Sequence, residues 1–324
     1  MPFVTLLCPQ CSAPLPRQAH WRMVTCLYCH ASVTNSQEVV QAAWFRQAYE
    51  RVYSALETPA QTLRFGAQTY AVLCHLGRGA SSEVLMAQRV SPLPERVTVK
   101  LSQRAHGDSA RALQRAAHAL EQLQQSSAQG APYFTRRLPQ VLGCGTVEGA
   151  FADDRTALLL RYPAGYWGSL ADVLQAYQSK ALAIDPRHAV WMGRRVLEVL
   201  DFVHDSGWVH QDLCPENLLV HPRDHGVQII GWSKAEPRSA ASALRARDLM
   251  QVAWSLRALL SGAADPSTGA WPGHVPAPLV HVLEQCEDAT WCAQQGARGL
   301  DQALQAAARE AFGAPRFVHF NPQP

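Results

Sequence analysis

Four cysteines in the first 29 residues form two pairs, Cys8-Pro-Gln-Cys11 and Cys26-Leu-Tyr-Cys29, with fourteen residues between the pairs. Thiolates two residues apart can bite one ion from a tight turn, and two such turns close a tetrahedral shell around Zn2+. Cys8, Cys11, Cys26 and Cys29 are therefore expected to hold a structural zinc, because a full thiolate shell leaves no open position for catalysis. Metal binding would supply most of the folding free energy of this short ribbon, on the order of 10 kcal/mol. Its expected use is docking. A redox pair is the weaker reading, since a redox C-x-x-C opens a helix after a strand in a larger βαβ context. His20 and His30 lie nearby, but four thiolates already fill the shell.

A second constellation follows downstream. Leu76-Gly77-Arg78-Gly79-Ala80-Ser81-Ser82-Glu83-Val84 is a glycine-bearing turn between two apolar runs. Glycines let a backbone approach phosphates closely, although such a turn is more often only a hairpin. The next apolar run ends Val97-Thr98-Val99-Lys100. Only Lys100, Lys180 and Lys234 are lysines among 29 basic residues, so a strand-end lysine is unlike the chain's ordinary surface cation. A covered ammonium needs an anion, and nucleotide phosphates are the obvious partner.

The most specific motif is His210-Gln211-Asp212-Leu213-Cys214-Pro215-Glu216-Asn217. With it, the chain resembles the protein kinase superfamily over about residues 63 to 262, since the loop matches H-x-D-L-x-x-x-N. The resemblance implies a bilobal fold. It also implies that Asp212 matches the catalytic base, Asn217 a Mg2+ ligand and Lys100 the α/β-phosphate lysine. Gly77, Gly79, Ser82 and Val84 match the phosphate-covering loop. Asp248 opens what looks like the central helix of the large lobe and would buttress the catalytic loop. Arg161 and Tyr162 would offer backbone contacts to adenine.

Departures from the family pattern are concentrated at the chemistry. Where the family has Asp-Phe-Gly this chain reads Gly231-Trp232-Ser233, so the carboxylate that holds Mg2+ is missing. A lost electrostatic stabiliser costs ~10²–10³ in rate elsewhere in enzymology, and a metal ligand should cost at least that. Ala116 stands where a glutamate partner for Lys100 is expected, and Glu121 comes more than a turn later. Gln211 replaces the arginine that would bind a phosphorylated activation loop, and no Ala-Pro-Glu follows. Cys214 and His210 are expected to pack and to hydrogen-bond rather than to react.

The elements needed to position these residues can be read from periodicity. Short β-type runs lie at 69–73, 84–87 and 97–101, a helix at 110–125, and further strands at 139–143 and 157–161. A helix is expected over 36–56, and beyond Ser169 the pattern is mostly helical. Strands first and helices afterwards predict an α+β chain: zinc ribbon 1–35, linker helix 36–62, kinase-like N-lobe 63–162 and C-lobe 163–324.

Composition narrows the class. The chain is 48% hydrophobic and 17% charged, as a soluble globular protein is. A net charge of +3, evenly spread, argues against a nucleic-acid footprint. Apolar runs fall short of the ~20 residues that cross a bilayer, and nine cysteines, an odd number, suit a reducing compartment. The expected setting is cytoplasmic. The Arg- and Ala-rich composition fits a bacterial, GC-rich source.

The expected function is nucleotide binding by a pseudokinase-like scaffold or regulator, with ATP as candidate ligand, poor retention of Mg2+ and impaired phosphoryl transfer. An active Ser/Thr kinase with Asp224 or Glu236 as replacement ligand, a small-molecule phosphotransferase and a pure interaction module stay open beside it. Protein partners are expected through ribbon and lobe. The resemblance to bacterial ribbon-fused chains suggests a metal-dependent phosphatase or a von Willebrand A-type protein.

Overall fold

The structure is a computed structural model that describes residues 23–25, 32–34, 61–79, 82–149, 154–237, 242–263, 265–267, 269–322 and 324. The cysteines of the ribbon and the expected helix over 36–56 lie outside these residues. Two short strands, β1 (Met23–Thr25) and β2 (Ser32–Thr34), pair antiparallel with Val24 opposite Val33. In sequence they bracket Cys26 and Cys29.

Four strands follow as a meander, β3 (Thr62–Phe65), β4 (Gln68–Arg78), β5 (Ser82–Arg89) and β6 (Arg96–Ser102), then the long helix α1 (Asp108–Gln124), a short helical stretch at Ala131–Phe134 and β7 (Val141–Thr146). With β8 (Thr156–Arg161) they form one antiparallel sheet, ordered β3-β4-β5-β6-β8-β7. The period-two alternation of strands decides its faces. Val97, Val99, Leu101, Ala157 and Leu159 build one small core with Leu63, Tyr70 and Leu85. Leu158 and Leu160 face the opposite way, into the main core under α1. Lys100 pairs with Val84 and Leu158, so strand alternation sends its side chain to the face that looks toward α1 and the large lobe.

Helix α1 reaches that sheet on alanines. Ala112, Ala116, Ala117 and Ala119 are buried beside Leu113, Leu120 and Leu123. The helix starts at Asp108, two residues before its periodic pattern becomes legible, and β7 runs three residues past the expected strand end. Strand β3, which pairs with β4 from Thr62↔Ala71 to Phe65↔Gln68, carries too few residues to signal itself.

The large lobe begins with β9 (Gly168–Ser169) and α2 (Leu170–Gln178). Ser169 and Asp172 form a capping box that satisfies two N-terminal amides, worth about 1 kcal/mol. Helix α3 (Pro186–Asp205) starts on Asp185 with proline at its first turn. Then come β10 (Trp208–Val209), the hairpin β11 (Leu218–His221) and β12 (Gly226–Ile229), and β13 (Glu236–Pro237). Three helices complete the lobe: α4 (Ser242–Ser261), α5 (Ala277–Gln285) and α6 (Ala289–Phe312), the last broken at Gly296. A Cβ on Gly193 would stand 2.5 Å from Leu256 Cδ1, so glycine lets α3 lie against α4 without displacing that side chain.

The chain after α6 returns to the lobe surface. Phe320 is 2% exposed and packs on His188 and Trp191, while Tyr177 donates its hydroxyl to Asn321 O at 2.9 Å. His225 is sandwiched between Trp191 at 4.4 Å and Phe317 at 4.5 Å. Burial holds both His188 and His225 down to a pKa of about 4. Among the described residues no helix is long and apolar enough to cross a membrane.

Candidate functional site

The catalytic-loop segment is built around one buried carboxylate. Asp248, with no exposed surface, accepts the backbone amides of His210 at 2.9 Å and Gln211 at 2.6 Å, and stands 3.0 Å from His204 Nε2. A buried carboxylate is stable only when several N–H groups converge on it, and these do. Gln211 is held at φ +65°, a left-handed conformation that the loop must be tied to keep. Gln251 ties it further, donating to Gln211 O at 3.1 Å and accepting Leu213 N at 3.0 Å. Ser255 closes the set through Leu213 O at 2.8 Å.

His210 is buried and its ring bridges two segments. Nδ1 accepts the amide of Asp212 at 3.2 Å, which leaves Nε2 to carry the proton and donate to Ile230 O at 3.0 Å. Burial pushes its pKa below the ordinary value, so the imidazole stays neutral. The expectation of a structural rather than reactive His210 agrees with this geometry.

Asp212 and Asn217 stand side by side. Asn217 Nδ2 donates to Asp212 O at 2.8 Å and lies 3.2 Å from Asp212 Oδ2, which fixes the orientation of the amide. The other carboxylate oxygen, Oδ1, accepts the ammonium of Lys234 at 2.8 Å. Lys100 faces the same carboxylate from the sheet. Burial lowers its pKa and the charge of Asp212 offsets part of that effect. It meets no carboxylate at ion-pair distance among the described residues. Ala116 on α1 is buried and apolar, and the charge of Glu121 acts instead on Cys144.

Gly231 occupies the position of greatest consequence. Its φ is +85°, and a Cβ built there would stand 2.3 Å from Asn217 Oδ1 and 2.4 Å from Cγ. The space a carboxylate would need is already filled by the amide of Asn217. Mg2+ asks for hard oxygen donors in a near-octahedral arrangement. Here Asp212 is engaged by two nitrogen donors and position 231 offers none, so the donor set fits the metal poorly. Asp224 lies in the turn after β11, 3.6 Å from His221, and Glu236 is exposed on β13 opposite Val209. Neither bonds to Asp212 or Asn217.

Strands β4 and β5 form the roof. Gly77 pairs with Val84, and Gly79 N donates to Ser82 O at 2.8 Å. A Cβ on Gly77 would meet nothing within 4 Å and one on Gly79 only Ser82 O at 3.8 Å. Among the described residues no protein neighbour demands glycine at these two positions.

The connector between lobes is poor in free donors. Arg161 N bonds to Gln140 O at 2.9 Å, Tyr162 N to Arg96 O at 3.4 Å and Ala164 N to Tyr162 O at 2.9 Å, while Pro163 has no N–H. A base seated here would be read through acceptor carbonyls. Burial, with help from Glu216, pushes the Cys214 thiol up to about 11, which disfavours the thiolate form.

Sequence reasoning gave Lys100, Asp212 and Asn217 to one pocket and Asp248 to the support of the catalytic loop. In the fold Asn217 bonds to Asp212, and Asp248 accepts the loop amides of His210 and Gln211. Sequence reasoning overlooked Lys234, which donates to Asp212 Oδ1 at 2.8 Å.

Residues 135–269 match the lipopolysaccharide kinase (Kdo/WaaP) family. The calcium/calmodulin-dependent protein kinase type 1 of Caenorhabditis briggsae is 49% identical over 47 residues, 13% of this chain and 13% of that protein. Its counterpart from Macrobrachium nipponense is 49% identical over 47 residues, 13% of this chain and 14% of that one. The chain thus matches only a small part of either relative. The PknI kinase domain of Mycobacterium tuberculosis superimposes with a TM-score of 0.53 at 19% identity, covering 74% of this chain and 96% of that domain. The fold is kinase-like.

Proposed function

We propose that this protein is a kinase-like nucleotide-binding scaffold or regulator in which phosphoryl transfer is impaired. One observation carries the reading: the side chain of Asn217 fills the space beside Gly231 where a metal-holding carboxylate would stand. Transfer depends on neutralising the phosphates as charge develops, and this site has lost the group that anchors the neutralising ion. Lys100, Asp212 and Asn217 remain in one cleft, under a roof whose glycines leave room for phosphates, and this favours retained binding.

Zinc held by Cys8, Cys11, Cys26 and Cys29 belongs to the same proposal. The β1–β2 pair, which brackets the second cysteine pair in sequence, supports a ribbon. Ribbon and large lobe would dock protein partners, a phosphatase or a von Willebrand A-type protein among the candidates.

The test is a single-turnover assay with γ-labelled ATP, alongside thermal unfolding with and without nucleotide. The reading expects a stabilising shift that Lys100→Ala removes, and no labelled product. Product formation abolished by Asp212→Asn would overturn it. The match of residues 135–269 to a lipopolysaccharide kinase family favours one second reading, a phosphotransferase acting on a small, sugar-like hydroxyl acceptor. Label recovered on a sugar acceptor rather than on protein would select it.

A further inference from the structure

The chain uses lysine only three times among 29 basic residues, yet Lys234 donates its ammonium to Asp212 Oδ1 at 2.8 Å and Lys100 lies near enough to feel the charge of the same carboxylate. Lys100 comes from the sheet. Lys234 comes from a 3₁₀ turn, Trp232–Lys234, that is pinned on every side. Trp232 is buried, donates its indole N–H to Ile229 O at 2.9 Å and meets the His210 ring edge-on at 4.7 Å. Gln211 Nε2 holds Lys234 O at 3.1 Å, and Arg115 Nε of α1 holds Ser233 O at 3.3 Å. The backbone that carries the ammonium is fixed, whereas the side chain is 62% exposed and open to a ligand.

An exposed lysine–carboxylate pair is a weak interaction that an incoming polyanion can displace or share. The turn begins one residue after Gly231, where the metal-binding carboxylate is missing. A positive point charge therefore stands where a bound cation would otherwise be needed to neutralise a phosphate chain. We infer that Lys234 takes over the metal's electrostatic role, and that this cleft binds a nucleoside triphosphate as the metal-free anion between Lys100 and Lys234. The inference rests on the nucleotide-binding reading above and assigns that site a ligand form and a second phosphate-binding residue.

Titration of the zinc-loaded full chain with ATP and with AMP, in the presence of Mg2+ and separately at limiting Mg2+ set by a weak chelator that leaves the zinc in place, tests it. ATP should bind without Mg2+ to within about threefold of its affinity with Mg2+. Lys234→Ala should weaken metal-free ATP by about tenfold or more and AMP by no more than about twofold, with Lys234→Arg intermediate. Unchanged ATP affinity in Lys234→Ala, with binding lost in Lys100→Ala, overturns this inference and leaves nucleotide binding intact. A strict requirement for Mg2+ in the wild type does the same. Absence of ATP binding under both conditions overturns the nucleotide reading and the inference with it.

Discussion

Asp248 Oδ1 accepts the backbone amide of Gln211 at 2.6 Å while Gln211 sits at φ +65°. The carboxylate and the strained residue need each other. Without the buried acceptor, Gln211 would relax toward ordinary backbone geometry and carry Asp212 away from Lys100.

Replacing Asp248 by Asn removes one acceptor oxygen and sets an amide N–H against backbone donors. A buried charge network broken in this way costs about 3–5 kcal/mol. Urea unfolding of Asp248→Asn should show that loss; a change under about 1 kcal/mol would mean the loop is held by Gln251 and Ser255 instead.

Gly231 and Asn217 should be energetically coupled. Gly231→Ala must push Asn217 aside and adopt a left-handed φ, together worth about 1–3 kcal/mol. In an Asn217→Ala background the steric part should vanish, leaving a coupling of about 0.5 kcal/mol or more in a double-mutant cycle. Gly231→Asp should be destabilised in the same sense and should fail to restore labelled product.

Lys100 carries its charge against its surroundings. Its pKa in the folded chain lies below the ordinary 10.5, because burial outweighs the attraction of Asp212. Between the two values the unfolded chain binds the extra proton, so stability rises with pH there and the cost is fully present below the folded value. Lys100→Met should therefore raise the stability of the ligand-free protein, by about 1 kcal/mol, while abolishing the shift caused by ATP. A destabilised Lys100→Met would show that Asp212 outweighs desolvation.

Acid should loosen the region where the chain returns after α6. His188 and His225 are held neutral at about 4, against an ordinary 6.5, with Asp185, Arg187, Arg195 and His319 as the charges around them. The unfolded chain binds the protons first as pH falls from 6.5 toward 4, so stability is lost across that window, by a few kcal/mol at most for the pair. His225→Phe should flatten the acid limb of a plot of Tm against pH. An unchanged slope would exclude His225 as a source of it.

The legible part of the site was the part written in contiguous residues. His210 to Asn217 lie on one loop whose order survives in any reading, and Lys100 ends a strand whose alternation is visible. Lys234 was hidden because its partner is 22 residues away and the link is a turn, which periodicity does not describe. The clash between Gly231 and Asn217 was equally invisible. Sequence showed a missing carboxylate, whereas only the fold shows that its space is filled. Strand β3 and the packing of Phe317 and Phe320 escaped because each is short and earns its burial from distant partners.

Those distant partners bear on how the chain folds. Tyr177 bonds to Asn321 across 144 residues, and Phe320 seals a core lined by α3. Contacts of such sequence separation close late, because the loop entropy must be met before the contact rewards it. During synthesis the large lobe would hold its helices while His188 and Trp191 still face solvent. Folding of the lobe should thus end with a slow phase reported by Trp191 fluorescence, and that phase sets the interval in which an incomplete lobe is open to chaperones or to aggregation.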